Sequence, residues 1–215
     1  MSAAEEPPFD AFEATLKRSA AALREADVPF LLGGSLASWA RGGPQTRHDL
    51  DLMIKREDTE RALAALTEAG MRADDPPEEW LVKVWDGDVL VDLIHGPSGL
   101  TIDDEAIARG EVLSVLSMEM RVMALEDVMT TKLMALTEHS LRYETLLSIA
   151  RALREQIDWD AVRAKTEGSP FARAFFVLAE GLEIVPERAP LDAPARGEPR
   201  VRVVTPAGSA HESAG

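Results

Sequence analysis

Three aspartates lie within segments that otherwise have the composition of buried strands. Asp49 and Asp51 alternate with leucine in segment 49–54, and Asp92 interrupts the apolar segment 89–94. Side chains two residues apart on a strand point to the same face, so Asp49 and Asp51 project together. Carboxylates held this close repel each other unless a cation lies between them or one of them is protonated. Magnesium suits such a pair, because it takes oxygen ligands and usually keeps substrate phosphates in its coordination shell.

Asp92 can belong to the same site if its strand lies beside segment 49–54. An unpaired aspartate inside an apolar strand is costly in free energy or becomes neutral. That cost is removed if all three carboxylates meet at one metal ion. Two alternatives stay open, since an Asp-x-Asp motif also occurs on exposed strand edges and Asp92 could be a buried polar residue with satisfied hydrogen bonds.

The turn Gly33-Gly34-Ser35 precedes the first two aspartates in the chain. A glycine-rich turn that leads into a helix presents backbone N–H groups and a partial positive charge to an anion. Glycine allows a close approach of the backbone, and the Ser35 hydroxyl can donate to a phosphate oxygen. Although the same composition occurs in ordinary loops, its position before Asp-x-Asp indicates a phosphate site facing a cation site. Together they predict a nucleoside triphosphate site.

The pattern of apolar and turn residues predicts alternating helices and strands as far as residue 123. Asp10 is the predicted N-cap of a first helix that ends before Pro29, and Ser35 is the predicted N-cap of a short second helix. Asp86-Gly87 predicts a hairpin. The predicted strands are 30–32, 49–54, 81–85, 89–94 and one or two within 112–123; the predicted helices are 36–41, 58–69 and 103–108, with a loop at 74–77.

From Leu125 onward the apolar period is helical, with predicted helices at 125–138, 141–156, 160–166 and 170–180. After Val185 the chain is rich in Pro, Ala and Gly and has little to bury, so segment 186–215 is predicted to be a disordered tail. We therefore expect an α+β fold with a mixed β-sheet flanked by helices over residues 10–123. A C-terminal helical bundle over residues 124–185 follows it.

The composition excludes several classes of protein. The chain has 215 residues, no cysteine and a net charge of −15, from 38 acidic and 23 basic residues. Disulfides and thiolate metal sites are therefore excluded. No segment approaches the roughly 20 apolar residues of a membrane helix, and the N-terminus lacks the features of a signal peptide, so we expect a cytoplasmic protein without membrane partners. The acidic excess argues against binding to DNA and suits divalent cations, with solubility alone as the alternative explanation.

The order of these residues resembles the polymerase-beta-like nucleotidyltransferase superfamily. Its signature is an apolar residue, Gly-Gly or Gly-Ser, a spacer, Asp-apolar-Asp-apolar and a third acid on a later strand. The matching residues here are Leu32, Gly33, Gly34, Ser35, Asp49, Leu50, Asp51, Leu52 and Asp92. The resemblance extends over about residues 10–185, which makes segment 10–123 the expected catalytic domain.

The resemblance is strongest to the minimal bacterial nucleotidyltransferases, which include aminoglycoside adenylyltransferases and nucleotidyltransferase toxins. In the toxin-like group, a helix that begins Leu-Glu-Asp carries a lysine that contacts the triphosphate. Leu125-Glu126-Asp127 followed by Lys132 matches that helix, although a lysine on an apolar helix can also extend its ammonium group to solvent. The basic, aspartate-containing segment that often follows in relatives is replaced here by segment 139–144.

The resemblance implies transfer of a nucleoside monophosphate from an NTP to a hydroxyl of a small molecule or of an RNA 3′ end, with two Mg²⁺ ions. Asp49 and Asp51 would hold both ions, and Asp92 would hold the catalytic ion and serve as the base. Gly33, Gly34, Ser35 and Lys132 would bind the NTP. The alternative is a non-catalytic nucleotide-binding module with the same fold, against which the three intact aspartates argue.

Overall fold

The computed structural model describes residues 8–46, 49–74 and 78–187. In this part of the chain, eight α-helices surround or follow one seven-stranded sheet. The strands are β1 (Phe30–Leu32), β2 (Asp49–Ile54), β3 (Arg72–Asp74), β4 (Leu81–Asp86), β5 (Val89–Ile94), β6 (Glu111–Val115) and β7 (Met118–Val122). The helices are α1 (Phe9–Glu25), α2 (Gly34–Trp39), α3 (Thr59–Glu68), α4 (Asp104–Arg109), α5 (Leu125–Met134), α6 (Tyr143–Leu153), α7 (Trp159–Thr166) and α8 (Pro170–Gly181).

The sheet is mixed, with strand order β3-β4-β5-β2-β1-β7-β6. The pairs β2·β5 and β1·β7 are parallel, whereas β1·β2, β3·β4, β4·β5 and β6·β7 are antiparallel. The central strands β1, β2 and β5 are almost entirely apolar and buried apart from their aspartates. The predicted α+β fold with a mixed sheet and a C-terminal group of helices is confirmed.

Two clusters of buried apolar side chains hold the fold together. The first packs α1, α2 and α3 against the sheet, and the second lies among helices α5 to α8. Helix α5 contributes to both, because Val128 lies in the first cluster while Met129 and Leu133 lie in the second. The boundary between two domains at residues 123/124 stays a prediction, as does the tail, of which residues 188–215 lie outside the described residues.

Several boundaries differ from the predicted ones. Helix α1 begins at Phe9 with Pro8 as its N-cap, so Asp10 lies in the first turn and makes no cap hydrogen bond. In that position its negative charge still interacts favourably with the positive end of the helix dipole. Residues 72–74 form an edge strand that the loop prediction at 74–77 missed in part, and residues 75–77 lie outside the described chain.

Helix α5 stops at Met134, four residues before the predicted end, because Thr137 and Ser140 exchange backbone hydrogen bonds and reverse the chain. Helix α6 correspondingly begins at Tyr143 and tightens to a 3₁₀ turn at Arg154–Gln156. No helix of the described part of the chain is both long and apolar enough to cross a membrane.

Candidate functional site

Strand register brings the three predicted carboxylates together. Strands β2 and β5 run parallel with Asp51 directly opposite Asp92, so both side chains share a face of the sheet with Asp49. One carboxylate oxygen from each of the three lies within 4.8 Å of the others. Asp49 and Asp51 are half-buried, and Asp92 is only 7% exposed. We call Asp49, Asp51 and Asp92 the acid cluster.

The electrostatics of the acid cluster are unfavourable without a cation. Burial, followed by repulsion from Asp49 and from Asp92, raises the pKa of Asp51 to about 7, although Lys132 acts in the opposite direction. Burial and repulsion from Asp49 raise the pKa of Asp92 to about 6, against the nearby charge of Lys83. The Oδ1 atom of Asp92 is buried and has no hydrogen-bond partner. An all-oxygen donor set with an unpartnered buried carboxylate oxygen fits a hard divalent cation such as Mg²⁺.

Helix α2 starts directly against the acid cluster, which explains the paired glycines. Gly34 has a φ of +56°, and a Cβ atom there would lie 2.6 Å from Asp51 Cγ. A Cβ on Gly33 would lie 2.8 Å from Met53 Cγ. The two glycines therefore let the turn pack onto strand β2, so that the Asp51 carboxylate fits beneath the first turn of α2.

The capping prediction for Ser35 is wrong. Gly33 is the N-cap and α2 begins at Gly34, because the Gly33 carbonyl already accepts from Ala37 N at 2.9 Å. The Gly33 N–H donates to the Asp51 carbonyl at 2.8 Å, so it is occupied within the protein. The N–H groups of Gly34 and Ser35 lie in the first helical turn, where an α-helix has no acceptor of its own for them.

Lys132 reaches the same place from helix α5. Its Nζ donates to Ser35 Oγ at 3.0 Å across 97 residues of sequence, and its charge acts on Asp51. The structure thus brings six of the seven predicted site residues into direct contact or close electrostatic reach: Gly34, Ser35, Asp49, Asp51, Asp92 and Lys132. Gly33, the seventh, supports them through its hydrogen bond to strand β2.

A second buried aspartate fixes the position of helix α5. Asp127 is 1% exposed. Arg109 of α4 donates to its Oδ2 at 3.0 Å, and Lys165 of α7 donates to its Oδ1 at 2.7 Å. We call this group the Asp127 bridge. Because it ties three helices together, it stabilises the position of helix α5, which carries Lys132 five residues further along the chain.

Comparison with known proteins identifies the family. A family described as "Uncharacterised nucleotidyltransferase" matches residues 10–181. The chain belongs to this nucleotidyltransferase family. The superfamily resemblance drawn from residues 32–92 is thereby confirmed. None of the curated proteins is detectably similar to it in sequence.

The fold of this nucleotidyltransferase is similar to that of the antibiotic-resistance factor ANT(2″)-Ia. A crystal structure of ANT(2″)-Ia in complex with adenylyl-2″-tobramycin matches with a TM-score of 0.55 at 19% identity, covering 77% of this chain and 97% of that one. A solution structure of ANT(2″)-Ia matches with a TM-score of 0.54 at 15% identity, covering 80% and 96%. At these identities the likeness shows the fold.

Two charged residues near the acid cluster of the nucleotidyltransferase were missed from sequence. Lys83 lies opposite Asp92 on strand β4, and Glu78, just before that strand, adds repulsion to Asp92. Lys83 could have been found, because counting back from the Asp86–Val89 pair of the hairpin places Lys83 beside Asp92. Glu78 comes from an irregular segment and had no comparable signal. Its Oε2 is buried without a hydrogen-bond partner.

Proposed function

We propose that this nucleotidyltransferase transfers a nucleoside monophosphate from an NTP to an acceptor hydroxyl in a Mg²⁺-dependent reaction. The convergence of Asp49, Asp51 and Asp92 within 4.8 Å carries the proposal. Three carboxylates held together by strand register, with the pKa values of Asp51 and Asp92 raised and one oxygen of Asp92 unpartnered, gain most from divalent cations. When bound, two Mg²⁺ ions neutralise charge on the attacking and leaving oxygens of an in-line displacement.

The proposed triphosphate site lies next to the acid cluster. Ser35 and Lys132, which contact each other at 3.0 Å, are the residues proposed to bind the β- and γ-phosphates. The Gly34 and Ser35 N–H groups lie in the first turn of α2, where the helix has no acceptor for them, and can donate to the same phosphate oxygens. Most of the proposed catalytic effect is positioning and electrostatic stabilisation, as is usual in phosphoryl transfer.

The proposed reaction forms one bond and breaks one. The acceptor oxygen attacks the α-phosphorus, and the bond from that phosphorus to the bridging oxygen of the β-phosphate breaks, so that pyrophosphate leaves with the bond's electron pair. Asp92 is the proposed base for the hydroxyl proton, since its buried Oδ1 has no other partner. Asp49 and Asp51 would hold the divalent cations, whose positive charge would neutralise the phosphate oxygens of the nucleotide.

For the acceptor, we propose a small molecule that carries amino groups as well as hydroxyls. A net charge of −15 favours cationic acceptors, and the Glu78 carboxylate adds negative charge close to Asp92. The ANT(2″)-Ia complex holds an adenylylated tobramycin, which belongs to this chemical class. An RNA 3′ end is the competing acceptor, and its polyanionic backbone is repelled by the same charge.

The decisive experiment incubates the protein and Mg²⁺ with each labelled NTP and either an aminoglycoside panel or total RNA. We expect label on a small cationic acceptor, release of pyrophosphate, and no label with Asp51→Asn. Label on RNA would show that the acceptor is an RNA hydroxyl and not a small molecule, while the transfer reaction would stay as proposed. NTP binding without transfer to any acceptor would instead favour the non-catalytic nucleotide-binding module.

A further inference from the structure

Helix α8 has a second apolar face that nothing in the described chain covers. Its inner face, which includes Phe175 and Phe176, packs into the helical cluster. The opposite side carries exposed apolar or small residues at the spacing i, i+3, i+4, i+7 and i+8. We call these residues the outer stripe: Ala174, Val177, Leu178, Gly181 and Leu182. Val177 is 72% exposed and Leu182 is 45% exposed.

A surface helix normally shows polar residues on the side away from its core. A contiguous apolar face on both sides is typical of a helix that has another partner. A Cβ atom on Gly181 would meet nothing within 4 Å, so the space above the outer stripe is open. The stripe is therefore available for docking.

The outer stripe is complementary to itself in antiparallel orientation. Its first four residues along the helix run small, large, large, small, namely Ala174, Val177, Leu178 and Gly181, and Leu182 follows them. A two-fold axis between Val177 and Leu178 places Ala174 opposite Gly181 of the partner subunit and Val177 opposite Leu178 of the partner subunit. The small residues at both ends let two helices approach closely, and each contact occurs twice, as in an isologous interface.

Charges at the two ends of the helix favour the same orientation. Arg173 is exposed at the start of α8 and Glu183 is exposed just after its end. Antiparallel packing brings Arg173 close to the partner's Glu183, and it also pairs opposite ends of the helix dipoles. Parallel packing would bring each charge beside its own copy, which is unfavourable.

We propose that the outer stripe of α8 is the interface of a two-fold homodimer in which two α8 helices pack antiparallel. The 12 residues of α8 form a rod about 18 Å long. This is short for a standard interface, which buries about 1,600 Å² in total. The dimer is therefore weak and dissociates on dilution. The proposal does not depend on the reaction proposed above.

Cysteine cross-linking tests the register, because the natural chain contains no cysteine. Leu178→Cys lies beside the axis, so it should form a disulfide-linked dimer under mild oxidation. Ala174→Cys alone should not, since its two copies would be separated by about 10 Å along the helices. Combining it with Gly181→Cys should restore cross-linking. Val112→Cys, exposed on strand β6, is the control and should form no disulfide-linked dimer.

Sedimentation of the full chain tests the dimer without cross-links. Between about 1 and 100 µM we expect a monomer–dimer equilibrium that Val177→Asp weakens at least about 10-fold and Val112→Asp leaves unchanged. Glu183→Arg should weaken the dimer, and the double variant Arg173→Glu/Glu183→Arg should restore it. A monomer at every concentration would overturn the proposal, whether the tail or another protein covers the stripe. Cross-linking of Ala174→Cys alone would overturn the antiparallel register.

Discussion

The acid cluster and the Asp127 bridge place buried aspartates in opposite electrostatic surroundings. Asp127 is the more deeply buried, yet both of its oxygens accept from cations, Arg109 at 3.0 Å and Lys165 at 2.7 Å. Asp92 faces other carboxylates and keeps an unpartnered oxygen. Burial alone therefore does not distinguish a structural acid from a functional one. The distinction lies in whether the protein supplies the neutralising charge itself or leaves it to a ligand.

The largest expected effect is on transfer in the acid cluster. Asp51→Asn removes a charge with little change in volume, so it should lower the transfer rate by about 1,000-fold or more, which corresponds to about 4 kcal/mol of transition-state stabilisation. The thermal midpoint of the metal-free protein should not fall, because a repulsive charge has been removed. Single-turnover assays and thermal melts measure the two effects. Undiminished transfer in excess chelator would refute the Mg²⁺ requirement.

The next expected effect separates the phosphate side from the acceptor side. Lys132→Ala should weaken NTP binding by about 1.5–3 kcal/mol, the range for a hydrogen bond to a charged group. Asp92→Asn should keep much of the NTP binding, because Asp49 and Asp51 remain, while transfer is lost. NTP titrations followed by single-turnover transfer test the split. Normal NTP affinity in Lys132→Ala would remove α5 from the site, and parent-level transfer in Asp92→Asn would make Asp92 a structural residue.

A substitution in the Asp127 bridge should lower the stability of the fold and leave transfer largely unchanged. Asp127→Asn leaves two cations without their shared partner, so the free energy of unfolding should fall by about 2 kcal/mol. This is less than for a fully buried pair, because Arg109 and Lys165 are 41% and 39% exposed. Denaturant unfolding measures this, and transfer at low temperature should stay within a few fold of the parent. Exposed Asp160, which pairs with Arg163, offers a matched control, since Asp160→Asn should have little effect.

The smallest expected effect is a pH dependence of stability. The pKa of Asp51 is higher in the folded protein, about 7, than in an unfolded chain. The folded state thus binds more protons, and the stabilisation present at low pH is lost as the pH rises through that value. Between about pH 5 and about pH 8, the free energy of unfolding of Asp51→Asn should rise by about 1–2 kcal/mol relative to that of the metal-free parent. Denaturant titrations in chelator test this, and Mg²⁺ should close the gap; a constant difference across pH would refute it.

The sequence predicted most of the acid cluster and fewer of the contacts that position it. Alternation in β2 and the apolar run of β5 predicted two strands with carboxylates on one face, since such patterns are local. The start of α2 was misplaced because it depends on a backbone hydrogen bond from Gly33 to β2 and on space for the Asp51 side chain. Both are tertiary contacts that local propensity does not contain.

The Asp127 bridge shows the same limit. Asp127 lies 18 residues from Arg109 and 38 residues from Lys165 in the chain, and nothing in this spacing predicts that the three residues meet. Asp127 was noticed only as part of the Leu-Glu-Asp motif, through resemblance. The ends of α5 and α6 were also set by a chain reversal at Thr137 and Ser140 that no glycine or proline marks.

Helix α5 contributes side chains to both apolar clusters, and this affects how the protein loses nucleotide binding on heating. Val128 is packed under the sheet, whereas Met129 and Leu133 are packed among the C-terminal helices. If those helices loosen first on heating, Lys132 moves away from Ser35 while the acid cluster keeps its place. Nucleotide affinity would then decline at temperatures where the sheet is still intact, and heat inactivation would precede global melting. Calorimetry of NTP binding along the melting curve would record this sequence of events.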